Sequence, residues 1–207
     1  HELPMTFWRA VGHSYTAFAK ESMIDEMAEA AGMDEVAFRL QNTQNTPRLN
    51  NVIRVAGEHM AKMNPPEGHH LGFAAHHSFY TDVAEIAEVS VENGKIRVHK
   101  VTCVLDCGQA VNPDIVRSQI EGGVIYGLTA TLYGGLNLER GAIKESNFHD
   151  YPMLRMNESP EIEVVIIDSG TKPTGVGEPG LPPIAPAVAN AVYKATGQRL
   201  RSKPHEL

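Results

Sequence analysis

The sequence predicts an α+β fold, in which a helical N-terminal third precedes a mostly antiparallel sheet. Three observations predict it. Apolar residues recur with a helical period before residue 66, two β-rich runs flank Asn93-Gly94, and an Ala/Val-rich segment spans Ile184 to Thr196.

Residues 1–12, HELPMTFWRAVG, read as an exposed or docking segment. A helix begins at Ser14, with Ile24, Met27, Ala28 and Ala31 on one face, and Gly32 stops it. Asp34 is placed to cap a second, short helix through Phe38 and Leu40. A third runs from Leu49 to Met63, with Val52, Val55, Ala56, His59, Met60 and Met63 as its stripe, until Asn64-Pro65-Pro66 breaks it. The Met and aromatic positions of this third read as core. Residues 1–66 form a helical segment docking on an α+β part, 67–207.

The period then changes. Asp82–Val91 and Ile96–Asp106 read as a hairpin, because a tight turn at Asn93-Gly94 needs φ > 0 twice. Asn112-Pro113-Asp114 supplies a cap, a first-turn proline and an acid at the positive end of the dipole, and opens a helix reaching Tyr133. That helix contains Gly122, Gly123 and Gly127, each costing about 1 kcal/mol against Ala. A close neighbouring backbone or a bound cofactor would justify them. Short strands flank Glu139-Arg140-Gly141, and Glu161–Ile167 is a further strand. The loop 169–183 holds four glycines and four prolines, and the apolar helix Ile184–Thr196 after it reads as buried.

Composition excludes several classes of function. A net charge of −7 argues against non-specific nucleic-acid binding. No apolar run approaches the roughly 18 residues of a membrane span. Two cysteines make no disulfide framework. Cys103 and Cys107, on one face of an extended strand, would stand roughly 13 Å apart, too far for a bridge. Both read as buried small hydrophobes. The chain starts at His1 rather than Met, which reads as a piece of a longer protein, and without a basic-then-apolar leader no targeting signal is read here.

Few residues stand out as chemical. Glu178 sits in Gly175-Val176-Gly177-Glu178-Pro179-Gly180, where proline stiffens the turn and glycines let backbone approach a ligand. A carboxylate in a dry setting there suits a general base, and a solvated loop glutamate is the plainer alternative. His69, His70, His76 and His77 crowd nine residues, yet no Cys or acid stands at a zinc-like spacing nearby. They read as solvated or hydrogen-bonded imidazoles, with no metal ligands assigned. His149-Asp150 reads as a loop pair.

Four segments carry a resemblance: FWRAVGHS (7–14), LDCGQAVNPDIVRSQIEGGVIYGL (105–128), ESNFHDYPMLRM (145–156) and GVGEPGLPPIAPAVANAVYKATGQRLRS (175–202). The chain resembles the C-terminal part of the molybdopterin-binding large subunit of the xanthine dehydrogenase and aldehyde oxidase superfamily, in the branch of the isoquinoline 1-oxidoreductase beta subunit. The resemblance implies a molybdenum hydroxylase that oxidises an aldehyde or an N-heterocycle with water-derived oxygen. It makes Glu178 the catalytic base. It makes six residues cofactor-binding: Arg9 and Gly12 in the loop that brings a backbone amide to the molybdenum site, Gln119, Gly122 and Gly123 in or beside a QxEG stretch on the pterin side, and Gly177 next to the base. The sequence departs from the family's usual pattern at Ala10 and His77.

The resemblance also implies a molybdenum-molybdopterin cofactor, iron–sulfur clusters on a partner small subunit, and a further partner in the remainder of the large subunit. Such a piece is expected to be inactive alone and not to retain the cofactor. Exposed apolar surface would favour a homo-oligomer of the piece. The compartment stays open between cytoplasm and periplasm. Two other readings are weighed: a non-catalytic binding or assembly module derived from that family, and a metal-dependent hydrolase built on the histidines.

Overall fold

Helices α1 (His13–Ala30), α2 (Glu35–Asn42) and α3 (Pro47–Met60) lead the chain, of which a computed structural model describes residues 6–202, 204, 205 and 207. Residues 1–5 of the expected docking segment lie outside the described residues. The Asp34 carboxylate accepts from the amides of Val36 and Ala37 and caps α2 as expected. α3 starts at Pro47, two residues before the expected Leu49, because proline fits the first turn of a helix.

Three long strands follow: β1 (His69–Ser78), β2 (Thr81–Glu92) and β3 (Lys95–Asp106). Then come α4 (Pro113–Leu132), the two-residue strands β4 (Leu138–Glu139) and β5 (Ala142–Ile143), β6 (Glu161–Ile167) and α5 (Ile184–Thr196). Asn93 (φ 51°) and Gly94 (φ 75°) make the β2–β3 turn. The main sheet runs β1-β2-β3-β6, antiparallel except where β6 lies parallel to β3. The α+β class expected from the sequence is the class observed. β1 is an addition to it, since its histidines and alanines disguise the strand.

The sheet is covered on both faces. On one, Val83, Ala87, Cys103 and Leu105 pack with Ile120, Val124 and Leu128 of α4 and Val188 of α5. On the other, Phe73, Ala84, Ile86 and Val104 pack with Val52, Ile53 and Ala56 of α3. Each such buried Val, Leu, Ile or Phe contributes roughly 1.5–3 kcal/mol. Gly72 lets α5 lie directly on β1, since a Cβ there would stand 2.1 Å from the Ala187 carbonyl oxygen.

One helix face differs from the expectation. α1 buries Ser14, Ala17, Glu21, Ser22, Asp25 and Ala28, while Met27 and Ala31 are exposed. The reason is a buried ion-pair cluster. Arg39 Nε of α2 donates to Glu21 Oε2 at 2.9 Å, and the Ala75 amide of β1 donates to the same oxygen at 2.9 Å. Arg199 Nη1, beyond α5, donates to Asp25 Oδ2 at 2.6 Å. Charged residues with such partners can occupy an interior face that apolar periodicity assigns to methionine.

Candidate active site

The loop 169–183 leaves β6 and enters α5, and backbone bonds pin it to the end of β3. The Gln109 amide donates to Thr171 O and the Thr174 amide to Cys107 O, both at 2.9 Å. Ser169 Oγ donates to Asp106 Oδ1 at 2.8 Å, and Thr81 Oγ1 donates to Gly175 O at 2.8 Å. Asp106 is the hub of this anchorage, because Arg48 Nη2 and the Gly108 amide also donate to Oδ1. Burial alone would raise the Asp106 pKa, but Arg48, the Gly108 amide and Ser169 hold it below the usual carboxylate value.

Within that loop Pro179 and Gly180 are buried, and Gly180 packs on the Ile120 backbone of α4. Glu178 is half-buried. The sequence suggests a fully dry setting; the carboxylate instead stands where the loop emerges from the core.

Residues 8–12 dock onto this carboxylate from the other end of the chain. The Ala10 amide donates to Glu178 Oε1 at 2.9 Å. Arg9 Nε donates to Gly177 O at 2.7 Å, and Nη2 to Gln119 O of α4 at 3.2 Å. One guanidinium therefore ties the loop to both other segments, with Trp8 against Tyr126 at a ring separation of 4.9 Å. At the carboxylate the donating amide is that of Ala10, while Arg9 reaches the same turn through its side chain.

The glycines divide into two groups. A Cβ on Gly123 would stand 3.3 Å from the Gly180 carbonyl carbon, and one on Gly127 only 2.6 Å from Ile184 Cγ2. Packing against the 180–184 segment accounts for both. Gly122 differs: its nearest neighbour would be Arg9 Nη1 at 3.9 Å. Gly177 would meet only Gln119 Oε1, at 3.7 Å, and Gly175 nothing within 4 Å. Open backbone therefore surrounds the carboxylate.

Of the residues singled out in the sequence, Arg9, Gln119, Gly122, Gly177 and Glu178 come together. Gly123 faces the protein interior. Gly12 precedes α1 with Tyr15 Oη 3.2 Å from where its Cβ would be, beside a groove lined by Phe7, Trp8, Val11 and Tyr15. Ala10, Thr81 and Asp106 have no local sequence signature for their roles, since each acts through partners distant in sequence.

The histidines do not converge. His69 Nδ1 lies 2.6 Å from Glu88 Oε1, His76 Nε2 2.9 Å from His13 Nδ1, and His77 Nδ1 2.7 Å from Asp82 Oδ1. Among the described residues no group of three His, Cys, Asp or Glu is placed to hold a metal ion. Cys103 and Cys107 are buried and free, and burial pushes both thiols up. No helix of the described residues is long and apolar enough to cross a membrane.

The arrangement offers a fixed carboxylate, hydrogen-bonding amides and exposed backbone, with no protein metal centre among the described residues. That donor set suits an organic cofactor approaching the Gly122–Gly177 side. Residues 8–160 match the molybdopterin cofactor-binding domain family. The chain is 37% identical over 96% of its length to the beta subunit of isoquinoline 1-oxidoreductase from Brevundimonas diminuta, and 31% identical over 96% to a nicotinate dehydrogenase subunit of Pseudomonas putida. It spans 26% and 18% of those proteins, so it corresponds to a minor part of each. The fold matches aldehyde oxidoreductase of Desulfovibrio gigas with a TM-score of 0.69 at 15% identity, covering 93% of this chain and 40% of that one.

Proposed function

The chain belongs to the molybdopterin cofactor-binding domain family, and from that premise we propose that it supplies the general base and one wall of the cofactor site of a molybdenum hydroxylase acting on an aldehyde or an N-heterocycle. Its relatives include subunits of oxidoreductases named for N-heterocycles and a protein named as a membrane-bound aldehyde dehydrogenase. The observation that carries the reading is the convergence of Ala10, Arg9 and Gln119 on the Gly177–Glu178 turn.

Molybdenum-molybdopterin, when bound, would supply the two-electron oxidation of the substrate carbon. Gln119, Gly122 and Gly177 are the residues that would hold it, through an amide side chain and backbone no Cβ covers. Glu178 takes a proton. The Ala10 amide occupies Oε1 and sets the orientation of the carboxylate, which leaves Oε2 for proton transfer. Arg9 keeps the base and α4 in register, so that the carboxylate does not drift from its target.

In this reading the chain is a C-terminal piece, with residues 1–66 a helical segment docked on 67–207. The cofactor cradle is completed by the remainder of the large subunit, and the electrons pass to iron–sulfur clusters on a small subunit. The piece alone is inactive and holds no cofactor. The test is an assay of the intact enzyme containing this chain, with aldehydes and N-heterocycles against an artificial electron acceptor. Turnover of either class supports the reading; none of either class contradicts it.

A further inference from the structure

The Ala10–Val11 backbone lies in the left-handed region, with φ 69° and 48°. Side chains oppose that conformation, a β-branched valine most of all, so contacts on both sides must enforce it. On the N-terminal side the Arg9 guanidinium does so. On the C-terminal side α1 begins with no capping side chain and no acid in its first turn. The Ser14 and Thr16 hydroxyls donate back to Val11 O and Gly12 O, both at 2.9 Å, and the first residue, His13, ties this turn to the sheet. The His13 amide donates to Ala10 O at 3.0 Å, and His13 Nδ1 lies 2.9 Å from His76 Nε2 on β1. The Phe79 ring, at the β1–β2 turn, stands edge-on to His13 with centroids 5.2 Å apart.

His76 is buried, and its other nitrogen, Nδ1, has no hydrogen-bond partner among the described residues. An unpartnered buried polar atom costs stability. What the imidazole gains at this position is the bond at Nε2. Burial, then the charges of Lys20, His13 and His77, bring the His76 pKa down to about 3, so the ring is neutral near pH 7. A neutral ring complements His13 Nδ1 as acceptor or as donor.

We propose that His13 and His76 are a positioning pair, whose shared hydrogen bond fixes the start of α1 on β1 and thereby holds the Ala10 amide on the Glu178 carboxylate. Its catalytic sense rests on the reading of Glu178 as the base; the positioning does not.

Amide hydrogen exchange on the full chain tests the pair. His13→Ala should speed exchange at Ala10 roughly tenfold or more while Val104, in the sheet core, is unchanged. His13→Asn, whose amide reaches the place of Nδ1, should restore protection. On the other side of the pair, His76→Phe should speed Ala10 exchange, and His76→Gln should preserve it. In the intact enzyme the same variants should lower and restore kcat with little change in KM. Unchanged Ala10 exchange in both His13→Ala and His76→Phe overturns the proposal, as does failure of both Asn and Gln to restore it. Normal turnover in Glu178→Gln, with Ala10 exchange responding as expected, would remove the base and leave the pair standing.

Discussion

The Ala10 amide and the Glu178 carboxylate meet at 2.9 Å across a sequence separation of 168 residues. That bond brings a strained N-terminal loop and a stiff C-terminal turn into one site. Neither segment holds the geometry alone, which makes the surrounding contacts open to test.

The glycines of α4 should separate by environment. Gly127→Ala would press a methyl onto Ile184 and cost about 1–3 kcal/mol. Gly122→Ala meets no clash and should stabilise the isolated chain by up to about 1 kcal/mol through helix propensity. In the intact enzyme the same Gly122→Ala should lower molybdenum content, because its methyl fills backbone-open space beside Arg9. Thermal melts and metal analysis read the two effects. Equal stabilisation by both variants would contradict the assignment.

Arg39 should be far more sensitive than an exposed arginine. Arg39→Met leaves the buried Glu21 carboxylate with only the partly exposed Lys20, at 3.1 Å, as an ion-pair partner and weakens the setting of Asp25. The expected loss is about 3–5 kcal/mol in urea unfolding. A change under about 1 kcal/mol, the scale of a surface pair, would mean the cluster is not the anchor of α1.

Glu85 carries a pH signature. It is fully buried on β2, and among the described residues no nitrogen or oxygen donor reaches its carboxyl group, which faces only the weakly donating Cys103 thiol of the neighbouring strand. Burial raises its pKa well above 4.5, more than the Cys103 thiol opposite can offset. The folded state therefore keeps the proton, and this group's contribution is most favourable below pH 4.5 and is lost as pH rises toward the folded value. Glu85→Met should stabilise the chain at pH 7 by about 1–3 kcal/mol, with a smaller gain at pH 4.5. Urea midpoints at the two pH values check it, and equal gains at both would contradict it.

Much of this fold is legible locally. β6 and α5 have the expected boundaries because each is a nearly continuous apolar run between turn residues. Asp34 and Asn112 mark helix starts through ordinary capping chemistry. β1 is hidden because His69, His70, His76 and His77 interrupt the apolar pattern of a strand. The buried face of α1 is hidden because its interior partners, Arg39 and Arg199, come from other elements. At the site, Glu178 stands out through its Gly/Pro setting. The roles of Ala10, Thr81 and His13 depend on partners no local pattern can supply, and the family resemblance reaches only some of them.

The most direct measurement is the turnover of Glu178→Gln in the intact enzyme, taken together with its molybdenum content. Glutamine keeps an oxygen for the Ala10 amide but cannot take the proton. Turnover should fall by about 100-fold or more with molybdenum content unchanged. Near-normal turnover at full molybdenum content would show that this carboxylate is not the base.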